Sequence, residues 1–269
     1  MEQHKTLIYQ DRRIHYRDEG RHHEHTLVLL HGFLQSLDVW SPFMLHLMRH
    51  LRVITIDLPG HGYSDSFGNE TTTELMADVV KAVLVEAGVE QCVMIGHSMG
   101  GYVALAFADR YPFYLRGLGL MHSHAMADTP EHFNSRAQAC EEAKSNRAGY
   151  ILSFIPNLFD DSKKVALAQE IKDLQDQCLE TTTEGIIAAQ RAMALRPDRL
   201  DVLARLEIPV LFIYGKNDRR LPVELALSQA MTPHYAEIML LDKVGHMSIF
   251  EEKEFVRLRI KNFVDTCYF

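Results

Sequence analysis

Short apolar runs alternate with helical patterns along most of the chain, the rhythm of a layered α/β protein with a largely parallel sheet. Runs at Thr26–Leu30, Arg52–Ile56, Cys92–Gly96, Leu115–Leu120, Val210–Tyr214 and Ala236–Leu241 are short, apolar and partly β-branched. That pattern predicts strands covered on both faces. Two more strands, around Lys5–Tyr9 and Arg12–Asp18, open the chain and are joined tightly at Gln10-Asp11. Helical spacing fills most of the gaps. Within Thr72–Ala87, Leu75, Val79, Val80, Val83 and Leu84 recur three and four residues apart. Met99–Arg110 stops at Tyr111-Pro112, because proline cannot continue a helix. Phe250–Phe263 closes the chain with a further amphipathic pattern.

One interval breaks the rhythm. From His124 to Pro197 there is no strand-like run. Thr129-Pro130-Glu131 reads as an N-cap, a first-turn proline and a carboxylate suited to the positive helix end. Leu167, Ile171, Leu174 and Cys178 share one helical face, and Ile186–Leu195 is another helix candidate. So long a helical stretch between two strands is too much for a loop. The expected organisation is a core of residues 1–123 and 198–269, with a helical cap inserted at 124–197.

Composition narrows the partners. The 269 residues include 28 Lys plus Arg against 36 Asp plus Glu, a formal charge of −8. That balance argues against nucleic acid or an anionic membrane as the partner. No segment reaches the roughly 18 uninterrupted apolar residues of a membrane span. The start, Met1-Glu-Gln-His-Lys-Thr, lacks the basic and apolar regions of a secretory signal. Cys92, Cys140, Cys178 and Cys267 lie far apart, which fits a reducing compartment, so a soluble cytoplasmic protein is expected. His22, His23 and His25 lack metal-site spacing and read as a solvated loop.

The chemistry centres on Gly96-His97-Ser98-Met99-Gly100, directly after one expected strand and directly before a helix. A turn this tight would make side chains at its flanks clash, hence the glycines, and it lifts Ser98 above the sheet edge. A serine hydroxyl is a weak nucleophile until a base takes its proton. Asp218 follows the Val210–Tyr214 run and His246 follows the Ala236–Leu241 run. All three then lie beyond carboxyl ends of strands, where open parallel sheets carry their sites. Two backbone N–H groups must meet the developing oxyanion. Met99 supplies one, and Phe33, in His31-Gly32-Phe33 after the Thr26–Leu30 run, is the candidate for the other. His31 is expected only to hydrogen-bond locally and hold that loop.

With these residues in place, the chain resembles the α/β-hydrolase superfamily in its small, cap-bearing serine hydrolase branch. The resemblance rests on His31-Gly32-Phe33, Asp57–Ser64, Gly96–Gly100, the Asp218 loop and Gly245-His246. It implies an eight-stranded, mostly parallel sheet flanked by helices, with only the second strand antiparallel. It also implies the order Ser98, Asp218, His246 for the catalytic triad, and a site between core and cap that needs no metal or organic cofactor. Asp57–Ser64 resembles a structural loop of the family and receives no catalytic role. Ser98 stands where haloalkane dehalogenases and epoxide hydrolases carry aspartate, and the lipase-type run of glycines is absent.

The function expected is a serine hydrolase of small carboxylic esters working through an acyl-enzyme. A C–C bond hydrolase or a cofactor-free perhydrolase would use the same triad, and a ligand receptor with residual activity is the alternative of another class. His122, Met126 and Phe154 are candidate pocket residues. The expected partner is a small ester, with the protein a monomer or a homodimer.

Overall fold

Eight strands assemble into one sheet in the computed structural model, which describes residues 4–269. They are β1 (His4–Tyr9), β2 (Arg12–Glu19), β3 (Thr26–Leu30), β4 (Arg52–Ile56), β5 (Cys92–His97), β6 (Leu115–Met121), β7 (Val210–Gly215) and β8 (Ala236–Leu241). Their order is β1-β2-β4-β3-β5-β6-β7-β8. Only β2 runs against its neighbours β1 and β4; every other pairing is parallel. Strands β3, β5 and β7 are buried along their whole length, as their unbroken apolar runs require. Strand β8 differs from the expectation. It is the sheet edge, its residues alternate between exposed and half-buried, and Ile238 is 48% exposed. With no residue of the strand buried, it is not covered on both faces.

Ten α-helices lie among the described residues: α1 (Ser41–Leu47), α2 (Thr73–Glu86), α3 (Met99–Arg110), α4 (Pro130–Phe154), α5 (Ala168–Cys178), α6 (Thr183–Ala194), α7 (Leu200–Arg205), α8 (Val223–Ala230), α9 (Ser248–Glu251) and α10 (Lys253–Tyr268). Helix α2 packs on α3 and α1 on α10, flanking the sheet. Periodicity does not announce α1, α7, α8 and α9, because so few turns hold too few apolar repeats to read. No helix among the described residues is long and apolar enough to cross a membrane.

The interval between β6 and β7 is helical throughout its ordered elements. Thr129 caps α4 by accepting the His132 N–H, and Pro130 opens the helix. Non-helical dihedrals at Asn146 (φ −153°, ψ 77°) interrupt α4 midway. Ile171, Leu174 and Cys178 form the buried face of α5. The insertion is pinned to the core where α6 meets the Asp57–Ser64 loop: a Cβ on Gly185 would lie 2.2 Å from the Gly60 carbonyl oxygen. Only glycine permits that approach.

Candidate active site

Ser98 sits between β5 and α3 with φ +51° and ψ −115°, a backbone that L side chains rarely adopt. Strain of this kind costs about 1–3 kcal/mol and persists only where surroundings over-determine it. Here the Ser98 N–H donates to the Met121 carbonyl at 2.8 Å. Its own carbonyl accepts from Gly101 N–H at 2.9 Å and from Ser123 Oγ at 2.8 Å. The flanking glycines are sterically required. A Cβ on Gly96 would stand 2.2 Å from the Gly100 oxygen, and one on Gly100 would stand 2.4 Å from the Leu30 oxygen.

Asp218 and His246 come together beyond the ends of β7 and β8. His246 Nδ1–H donates to Asp218 Oδ2 at 2.7 Å. A second imidazole shares that oxygen: His122 Nδ1–H donates to it at 3.0 Å, and His122 Nε2 meets Ser248 Oγ at 2.8 Å. Asp218 Oδ1 accepts the backbone N–H groups of Arg220 (2.8 Å) and Leu221 (3.2 Å). Burial works to raise the Asp218 pKa. The His246 charge and the two imidazole hydrogen bonds outweigh it and hold the carboxyl well below the usual range. Burial lowers the pKa of His122, so its ring is neutral and its Nε2 accepts from the Ser248 hydroxyl. His122, Asp218 and His246 also place donor atoms within 4.8 Å of one another, close enough for a metal ion. Both Nδ1 atoms meet one carboxylate oxygen at hydrogen-bond distance.

His97 fastens His246 from behind, its Nε2–H donating to the His246 carbonyl at 2.9 Å. The His246 N–H donates to the Leu158 carbonyl at 2.6 Å, tying the loop to the insertion. His31 bonds locally, as expected: Nδ1–H donates to the Gly32 carbonyl at 2.8 Å and Nε2 accepts the Leu58 N–H at 2.9 Å. Asp57 likewise holds its loop, accepting from His15, Leu37 N–H and Tyr63 N–H. Met99 is fully buried as the first residue of α3, where a backbone N–H has no partner inside the helix.

A cavity of about 500 Å³ opens between core and insertion. Ser98, His246 and Phe33 line it from the core; Tyr150, Phe154 and Met193 line it from the insertion. Phe154 meets Phe33 edge-on, with ring centroids 5.7 Å apart. Met126 does not reach this lining, and its carbonyl accepts from Arg196 Nη2 at 2.9 Å. His122 touches the cavity wall, but its side chain is fully buried and faces Asp218 and Ser248. Asp128 binds both Arg136 and Arg196, and His124 is pushed down to about 3 by burial and by Arg196. Sequence reasoning did not find the His122–Asp218 contact, Ser248, or the arginines of the cavity. The one available signal was the place of His122 directly after β6.

Residues 25–253 match the model of a family described as the alpha/beta hydrolase fold. The chain belongs to that family. This alpha/beta hydrolase is 28% identical over 260 residues to a 2-hydroxy-6-oxononadienedioate/2-hydroxy-6-oxononatrienedioate hydrolase of Paraburkholderia phymatum, spanning 90% of this chain and 87% of that one. Among solved structures it is similar to a malate-bound thermophilic esterase from Thermogutta terrifontis, with a TM-score of 0.93 and 29% identity over 99% of this chain and 100% of the other. An enol-lactonase from Burkholderia xenovorans shares the fold, with a TM-score of 0.89 and 22% identity over 97% and 100% of the two chains. The protein is a hydrolase.

Proposed function

We propose that this hydrolase cleaves small carboxylic esters, with Ser98 as nucleophile, His246 as general base and Asp218 as the acid that orients it. One observation carries the reading: His246 Nδ1–H is committed to the ionised Asp218, in a cavity that Ser98 also lines. A proton fixed on Nδ1 leaves the Nε2 lone pair to take the serine proton. Ser98 then attacks the carbonyl, and the Phe33 and Met99 amides receive the oxyanion. His246 returns the proton to the leaving alcohol, and water, activated by the same imidazole, hydrolyses the acyl-enzyme. The steps use protein groups and water alone. Residues 124–197 act as the cap, with Phe154 and Tyr150 supplying an apolar wall for the acyl or aryl part. Likeness to the thermophilic esterase supports the ester reading.

Relatives named for 2-hydroxy-6-oxononadienedioate favour a second reading, C–C bond hydrolysis by the same groups. Steady-state turnover of p-nitrophenyl esters of increasing acyl length tests the proposal. Ser98→Ala is expected to lose at least about a thousandfold in kcat while remaining folded. Substantial turnover by that variant would overturn the role of Ser98. Inertness of the wild-type protein towards every ester, with turnover of ring-cleavage dienes, would replace the ester reading by the second.

A further inference from the structure

Arg220 is the cavity cation that the mechanism leaves unused. It lines the cavity two residues beyond Asp218, and its guanidinium lies over the Phe154 ring, 4.4 Å from the centroid. Among the described residues, the neighbouring cations are matched. Arg136 and Arg196 share Asp128, and Arg219 pairs with Asp161. The Arg220 guanidinium, by contrast, has an aromatic face and no carboxylate or carbonyl hydrogen-bonded to it. The acidic residues of the lining have other partners, Asp128 two arginines and Glu142 the Gln138 side-chain amide, and Asp218 behind the lining is bonded to two imidazoles. His124 is neutral and adds no competing charge.

Arg220 is exposed at the cavity, and its guanidinium keeps a donor fork available to an anion entering there. The structure fixes it in place. Its backbone N–H is bonded to Asp218 Oδ1, and its guanidinium carbon lies over the Phe154 ring. A donor fork held beside a reacting centre, with its bonds unmade, is prepared for a planar anion.

We propose that Arg220 is a carboxylate receptor, and that the preferred substrate carries a free carboxylate besides its scissile ester. The inference rests on the hydrolase reading for the word "substrate", but the receptor stands apart from turnover. A neutral ester leaves the guanidinium unpaired; an anionic one neutralises it inside the cavity.

Two matched pairs of esters test this. Mono-p-nitrophenyl adipate against its methyl ester puts the charge on the acyl side. 4-Acetoxybenzoate against its methyl ester puts it on the alcohol side. In one pair, wild-type protein is expected to prefer the anionic member in kcat/KM. Arg220→Gln is expected to reduce that preference about ten- to hundredfold, the range for a hydrogen bond to a charged group. Arg220→Lys, which keeps the charge and loses the fork, is expected to restore part of it. Equal preferences in wild type and Arg220→Gln for both pairs, with the variant folded, would overturn the receptor and leave the hydrolase intact. Calorimetric titration of adipate and of 4-hydroxybenzoate into Ser98→Ala, with and without Arg220→Gln, reads the receptor without catalysis. Arg220-dependent binding by a protein that turns over no ester would sustain the receptor and sink the ester reading. Absence of Arg220-dependent binding for either anion would overturn the receptor.

Discussion

The two walls of the cavity are built from different chemistry. On the core side stand three imidazoles, His97, His122 and His246, held by short bonds to backbone, carboxylate and hydroxyl. On the insertion side stands a permanent cation, Arg136, with the aromatic rings of Tyr150 and Phe154, the latter meeting the core residue Arg220. The core wall is fixed by close backbone packing, as the glycines around Ser98 show. The other wall is held by long side chains reaching one buried carboxylate, Asp128. Rigid placement serves bond making, whereas a wall of long side chains and rings sets which molecule fits. Changes to the core wall should therefore act on kcat, and changes to the insertion on KM and preference.

The largest effect should come from Asp218→Asn. An amide in that place presents either oxygen or N–H to the imidazole, so His246 loses the carboxylate that fixes its tautomer and balances its charge. A fall in kcat of about three to four orders of magnitude is expected, with the fold retained. Near-normal turnover would place the acid elsewhere and dissolve the contrast between the walls.

Acid should weaken the protein through its buried neutral imidazoles while leaving the guanidinium wall charged. Burial lowers His61 and His124 to about 3. An unfolded chain, with ordinary histidines near 6.5, binds those two protons as pH falls through that value; the folded chain refuses them until about 3. Stability is therefore lost progressively from pH 6.5 downward. Between pH 7 and pH 5 the loss is roughly 2 kcal/mol for each histidine, roughly 4 kcal/mol together. Urea unfolding at the two pH values measures it. Equal midpoints would show that these rings are protonated in the folded state.

How much of this was legible in the sequence follows the same division. The eight strands and the turn at Ser98 were readable, because strands leave short apolar runs and tight backbone leaves glycine, whereas the reversal of β2 came only from the family resemblance. Asp218 and His246 were readable as candidates from their places after β7 and β8. The insertion was readable as helical, but its cavity face was not. Met126 was expected in the pocket and lies outside its lining, in the irregular segment between β6 and α4 where no periodicity shows which way a side chain faces. Arg220 carries no local pattern at all: among the described residues no carboxylate is hydrogen-bonded to its guanidinium, which only three dimensions reveal. His122 was chosen for the right neighbourhood and turns out to face the carboxylate.

His122→Ala sharpens the comparison within the core wall. It removes one of two imidazole donors from Asp218 Oδ2 and leaves the Ser248 hydroxyl without that partner. Loss of a hydrogen bond to a charged group is worth about 1.5–3 kcal/mol, so kcat should fall roughly tenfold or more, with KM changed less. A residue that only filled space would alter melting temperature and leave kcat per folded molecule as it was. That outcome would confine the positioning of Asp218 to His246 and the Arg220 and Leu221 amides.

The smallest effect should come from Phe154→Ala, the cleanest change to the insertion wall. Phe154 touches Phe33 on one side and carries Arg220 on the other, so its ring joins the two walls without taking part in proton transfer. Removing it deletes apolar contact with substrate and enlarges the cavity, which should raise KM a few-fold and move the preferred acyl chain to a greater length. The loss in kcat should be the lesser part. Measured across the same p-nitrophenyl series, an unchanged length optimum with a reduced kcat would mean that Phe154 acts through Phe33 on the oxyanion loop. Rigidity would then extend into the insertion, and the boundary between chemistry and selection would lie deeper in the helical wall than its ion pairs suggest.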